Sequence, residues 1–315
     1  MSQAPALAYA EGPRMTGTAP EAFARIEAGW RPEPVETTEF VTAAPSQALS
    51  GIFDQPVVVA GVGDALPPVW HWLHLLDRPA QAELGEDGHP RDGLFLPPLP
   101  DRRRMFGGGR FEFHEPIRVG DLVTRRSEVT SVRTRQGGSG WLLLVTLRHE
   151  FFVEGMLSTT EEQDIVYKQP DAAAAAPRAA AESRAAAPPA PWTYSLRPDP
   201  TLLFRFSALT YNAHRIHYDR DYATGVEGYP DLVVHGPLLA LALLELPRRF
   251  APARTVASFT FRSRAPLLAP DAFVVSGVPD GKGAQLSAGQ PGAAPGITGT
   301  VTFRQRLSRD SEEVT

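Results

Sequence analysis

A chain of 315 residues is long enough to bury two cores of ordinary domain size. It has no cysteine, which excludes disulfides, cysteine-ligated zinc and a thiol nucleophile. Its net charge of −5 gives no basic footprint for nucleic acid, and no apolar run approaches the roughly eighteen residues of a membrane span.

In chain order, residues 1–34 read as an extension rich in Ala, Pro and Glu, with a short helix expected over 20–29. Its start lacks the basic and apolar segments of a secretion signal, so a cytoplasmic location is expected. VETTEFVTAA then suggests a strand and SQALSGIFD a short helix. LPPVWHWLHLLD (66–77) predicts an apolar helix entered through prolines. Residues 85–109, punctuated by Gly and Pro, read as a long loop with a basic patch at Arg102, Arg103 and Arg104. A loop of that length inside a compact domain usually has a function. RFEFHEPI, DLVTRRSEVTSVRTR, GWLLLVTLRHEFFVEG and STTEEQDIVYK follow, separated by Gly-marked turns, and predict an antiparallel meander. Residues 172–191 are low-complexity Ala/Pro sequence and read as an exposed linker.

The second half repeats the plan. Its helix, LLALALLEL (238–246), begins after Pro237, where a first helical residue tolerates proline, and is expected to stop at Pro247. The run is apolar on nearly every face, so it must be enclosed on all sides, as by a wrapping antiparallel sheet. TVASFTFRSRAPL, AFVVSGVPD, GAQLSAG and ITGTVTFRQRL supply the strands. Two halves of similar plan and size indicate an internal duplication and an α+β fold.

The chemistry concentrates between Phe204 and Leu246, which holds three of the eight histidines. YNAHRIHYD brings Asn212, His214, His217 and Asp219 together. A neutral imidazole can take a proton from water near pH 7 and return it, and Asn can aim that water. His235-Gly236-Pro237 enters the helix, where a free Gly236 N–H can polarise a carbonyl oxygen. These parts suit water addition to a polarised double bond, its reverse, or thioester hydrolysis. A metal site from His214, His217 and Asp219 is the weaker reading of the same residues. His71 and His74 read as core-edge residues.

The stretch Tyr211-Asn212-Ala213-His214-Arg215-Ile216-His217, followed by Val234-His235-Gly236-Pro237, resembles the hydratase motif of the MaoC-like enoyl-thioester hydratases, G-D-x-N-P-x-H and then H-G. Asn212 stands here at the position of the family's aspartate. Within that family, N-A-H-R-I-H-Y-D is similar to the subgroup of mesaconyl-C4-CoA (3-methylfumaryl-CoA) hydratases, itaconyl-CoA hydratases and mitochondrial 3-hydroxyacyl-thioester dehydratases. LGEDGHPRDGLFLPPLPDRRRMFGGGRFEFHEPIRVGD and EEQDIVYK resemble its bacterial members in the first half.

The resemblance implies a tandem double hotdog, each half an antiparallel sheet wrapped around a helix. The expected division is an extension (1–34), a degenerate N-terminal hotdog (35–169), a linker (170–191) and a catalytic hotdog (192–308). It implies reversible hydration of a 2-enoyl-CoA, with a branched C5 dicarboxylyl group such as mesaconyl or itaconyl as the acyl candidate. His217 is expected as the base, Asn212 as the residue that positions the water, Gly236 as the oxyanion donor and His214 as a candidate proton source. Tyr211, Arg215, His235, Arg262 and Arg264 are expected to bind substrate, with Arg205 a further candidate partner for a carboxylate. No metal and no cofactor is implied beyond the CoA of the substrate. An acyl carrier protein is the alternative carrier, served by the patch at Arg102–Arg104, and the chain is expected as a monomer or a homodimer. The runner-up functions are a carrier-protein dehydratase and a non-catalytic acyl-thioester-binding subunit, with a thioesterase more distant.

Overall fold

The computed structural model describes residues 20–93, 95–99, 103–137, 140–168 and 190–305. The expected linker therefore lies almost wholly outside the described residues, as do Arg102 and most of the N-terminal extension.

One antiparallel sheet of ten strands joins the halves. From the first-half edge inward it runs β1 (Val35–Phe40), β3 (Leu122–Gly137), β4 (Gly140–Val153), β5 (Met156–Lys168) and β2 (Arg103–Phe113). It continues through β7 (Val256–Ser263), β10 (Ile297–Phe303), β9 (Gly283–Gly289), β8 (Phe273–Pro279) and β6 (Trp192–Leu196) to the other edge. Read inward from either edge, the strand order within each half is the same: first, third, fourth, fifth, second. The duplication inferred from the sequence thus reappears as topology. The halves meet where β2 pairs with β7, with Phe111 opposite Phe259.

The second half encloses its helix as expected. Helix α5 (Gly236–Phe250) buries every residue from Leu238 to Pro247, and β6 to β10 curve around it. Its six buried leucines contribute about 1.5–3 kcal/mol each relative to exposure. Glu245, buried in this apolar run, is paired by Arg248, whose Nε lies 2.8 Å from Oε1, and by Arg249. The helix does not stop at Pro247, contrary to expectation. Proline removes one N–H, but the following turn is held by both arginines and by the Ala251 N–H, which donates to Pro247 O at 2.9 Å.

Two expectations for the first half are corrected. Residues 66–77 form no long helix, only a 3₁₀ turn at Trp70–Leu73. Val69 (φ 71°) and Leu75 (φ 53°) sit in the left-handed region on either side, and neither can continue a right-handed helix. The loop 85–109 is also shorter than predicted, because its last seven residues belong to β2, the strand that joins the halves. Elsewhere α1 (Glu21–Gly29) and α2 (Ala43–Ile52) form where short helices were predicted. Without a long helix, the concave face of the first-half sheet opens onto a cavity. Aligned across β3, β4 and β5 on that face stand Ser127, His149 and Glu161.

Candidate active site

The cavity has a volume of about 1320 Å³ and lies between that concave face and the entrance to α5. The predicted motif forms its second-half wall. Helix α3 (Pro200–Leu209) starts cleanly because Asp199 Oδ1 accepts from the Leu202 N–H at 2.7 Å and Pro200 takes the first helical position. It ends in a tight turn: Tyr211 is left-handed (φ 52°), and the Asn212 N–H donates to Ser207 O at 2.9 Å. Asn212 Oδ1 then accepts from the His214 N–H at 3.0 Å. One lone pair of its carboxamide oxygen is thereby engaged, and its NH₂ group has no acceptor among the described residues.

His217 is buried in the 3₁₀ turn Arg215–His217 and lines the cavity. Its Nδ1–H donates to Val233 O at 2.7 Å, which leaves the lone pair on Nε2. Burial lowers its pKa to about 4, so the ring is neutral at pH 7. His235 stacks on it with centroids 3.7 Å apart and shares a hydrogen bond of 2.8 Å with Ser207 Oγ. Burial holds His235 well below the usual imidazole range, so it backs His217 as a neutral ring. Gly236 opens α5 on the cavity wall, and its N–H has no acceptor among the described residues.

The sequence profile for hydroxyacyl-thioester dehydratase type 2 matches residues 69–269. The chain belongs to this family. It is 42% identical over 273 residues to mesaconyl-C(4)-CoA hydratase of Chloroflexus aurantiacus, covering 86% of this chain and 95% of the relative. Among solved structures, a double-hotdog protein of Mycobacterium tuberculosis matches with a TM-score of 0.52 at 14% identity, over 87% of this chain and 96% of the other. A MaoC-like dehydratase from Phytophthora capsici matches with a TM-score of 0.62 at 13% identity, over 90% of this chain and 99% of the other. The fold is the double hotdog, and the protein is a hydro-lyase acting on acyl thioesters.

Of the predicted site residues in this dehydratase, Tyr211, Asn212, His214, His217, Gly236 and Arg264 line the cavity. Arg215, His235 and Arg262 lie outside its lining. Arg215 is a clamp: Nε and Nη2 donate to Asp219 Oδ2 at 3.0 and 2.7 Å, and Nη1 donates to Glu86 O at 3.1 Å. Its guanidinium also lies 4.0 Å from the Tyr222 ring centroid. Arg262 stands in the β2–β7 ladder opposite Gly108. Arg205 is exposed on α3 and likewise does not line the cavity.

The first-half wall was not predicted. Glu161 is fully buried, yet it takes hydrogen bonds from His71 Nε2 (2.7 Å), Trp72 Nε1 (2.8 Å) and the Gln163 amide. Burial opposes its ionisation, but the hydrogen bond and charge of His71 hold its pKa below the ordinary carboxylate value. His149 Nδ1 meets Ser127 Oγ at 2.7 Å, and Arg125 stands beside them on the same wall. His71 and His74, read from sequence as core-edge residues, both line the cavity. Arg104 lines it as well; it is partly buried, and its side chain has no hydrogen-bond or ion-pair partner among the described residues.

Asp87 and His89 also reach the motif, from the loop before β2. They and His214 place potential ligand atoms within 4.8 Å of one another. The His89 and His214 rings lie with centroids 4.0 Å apart and a 37° tilt. No metal role is assigned to them. The available signal for this wall was the unusual length and polarity of LGEDGHPRDG.

Proposed function

We propose that the protein catalyses reversible hydration of a 2-enoyl-CoA to a 3-hydroxyacyl-CoA, with a branched C5 dicarboxylyl group such as mesaconyl-C4 as the acyl part. The observation that carries this reading is the polar cavity wall, on which the Arg104 side chain has no partner among the described residues. A carboxylate close to the reacting double bond needs a cation that is not already neutralised, and Arg104 meets that need. A long alkyl chain would instead lie against Glu161, His149 and Arg125, which disfavours a fatty acyl group on a carrier protein. The 42% identical relative carries mesaconyl-C(4)-CoA in its name, which supports the same acyl class. One chain supplies both walls of the cavity, so the reading needs no second copy.

In this reading a water donates one proton to His217 Nε2 while its oxygen bonds to C3. The Asn212 NH₂ group donates to that water and sets its direction. The π electrons of C2=C3 move onto the thioester oxygen, which the Gly236 N–H and the positive end of α5 stabilise. Hydration is completed when C2 takes a proton.

A panel of crotonyl-, mesaconyl-C4- and itaconyl-CoA, followed by loss of enoyl absorbance or by product mass, tests the reading. Mesaconyl-C4-CoA should have the highest kcat/KM, and Arg104→Leu should reduce that advantage over crotonyl-CoA. A clear preference for crotonyl-CoA or longer alkyl enoyl-CoAs would contradict it.

A further inference from the structure

We propose that the Asp87–His89 pair, delivered by the first half, is the general acid that protonates C2 during hydration and the base that removes that proton in the reverse direction. This rests on the hydratase reading and fills a gap in it. Asn212 occupies the motif position where an aspartate would carry a proton, and a carboxamide carries none. His217 holds the proton it takes only transiently, because its Nδ1–H faces a neutral carbonyl and no carboxylate among the described residues pairs with its charged form. His214 is buried among other imidazoles, and burial holds it neutral.

His89 is different. Asp87 Oδ2 lies 2.9 Å from its Nδ1, and Asp87 Oδ1 accepts from the His89 backbone N–H at 3.0 Å. A carboxylate on Nδ1 favours the imidazolium and makes Nε2 the nitrogen that exchanges its proton. The ring lines the cavity with its centroid 4.0 Å from that of His214, and the His214 centroid in turn lies 5.3 Å from that of His217. His217 also lies within electrostatic reach of His89.

The loop is docked, not draped. The Arg215 N–H donates to Asp87 O at 2.9 Å, and the Arg215 guanidinium reaches Glu86 O. Gly88 has φ +88°, and a Cβ there would lie 1.8 Å from Ala213 O. Its backbone therefore rests directly on the motif. Placement of this quality matters for proton transfer, which needs hydrogen-bond reach.

The proton balance closes. His217 gains one proton from water as O bonds to C3, and the enolate pair forms a C2–H bond as the His89 Nε2–H bond breaks. His89 ends neutral and His217 protonated, and one proton passes back between them through cavity water. Run in reverse, neutral His89 removes the C2 proton and His217 protonates the departing hydroxyl. Among the described residues, the titratable groups shown against His89 are Asp87 on its own loop and His214 and His217 on the motif turn. The Asp87 carboxylate favours its protonation, and Arg104 acts on its ring neighbour His214.

The test uses the full chain with His89→Gln and Asp87→Asn, each checked for an unchanged circular dichroism spectrum. Two readouts are needed: the pH profile of kcat/KM on the best substrate of the panel, and the histidine titration followed by NMR without substrate. His89→Gln should lower kcat by ~10²- to 10⁴-fold with KM within a few-fold, and should abolish the basic limb. Asp87→Asn should keep the imidazole but move the basic limb, and the NMR pKa of His89, down by about one unit or more. If no substrate of the panel is turned over, the hydratase reading fails while the NMR titration still judges the pair. A His89 pKa unmoved by Asp87→Asn overturns the proposal, as does near-parental activity in His89→Gln. Stoichiometric bound zinc with chelator-sensitive activity would equally overturn it, because the trio would then be a metal site.

Discussion

At the scale of single residues, His217 is suited to act as a base by the unequal use of its two nitrogens. Nδ1–H is tied to Val233 O, so only Nε2 can accept, and the pKa near 4 keeps it ready at neutral pH. The acidic limb of kcat/KM should accordingly fall near pH 4, well below an ordinary histidine. Asn212→Asp should shift that limb upward, because a nearby carboxylate favours the imidazolium, while Asn212→Ala should lose activity without moving it. An Asp variant with raised activity and an unmoved limb would show that a carboxylate can serve there directly. Asn212, His214, His217 and Gly236 were legible because they fall in one short stretch with a recognisable spacing. His89 and Arg104 were not, since they meet the motif only through tertiary docking. Arg215 could not be placed from sequence either: its guanidinium is held by Asp219 and Glu86 O, a contact only the docked loop provides.

At the scale of elements, α5 was readable because an apolar run without a polar face has only one stable place, inside a sheet. The 66–77 segment has a similar composition and still does not form the helix. Two left-handed residues, which no hydropathy pattern reveals, break it. That failure of local propensity is what opens the first-half wall to the cavity. The 84–93 loop then carries its function through docking, so Gly88→Ala should lift it from Ala213. We expect kcat to fall by about 10²-fold, the size of effect seen when reacting groups are misplaced by about an ångström, with the fold retained. Unchanged kcat would show that the loop contributes nothing to turnover.

At the scale of the whole molecule, the duplication was visible in the order of strand signals, but the division of labour between the halves was not. The second half uses its concave face to hold a helix; the first uses the same face to line a cavity with buried His, Ser and Glu. This arrangement has a cost in acid. His74 and His217 both have pKa values lowered by burial to about 4, against 6.5 when unfolded. The unfolded chain therefore binds more protons below pH 6.5, and stability must fall as pH drops from 6.5 towards 4. Each of these histidines should cost roughly 2 kcal/mol by pH 5. Urea midpoints at pH 7.5 and 5 should differ accordingly, and equal midpoints would show that these rings are not buried neutral.

The central claim is that this double hotdog hydrates an enoyl-CoA with His217 as its base, and steady-state kinetics of His217→Ala on mesaconyl-C4-CoA tests it most directly. The account predicts a kcat lower by ~10²- to 10⁴-fold with KM within a few-fold and an unchanged circular dichroism spectrum. A kcat within a few-fold of the parent would contradict it.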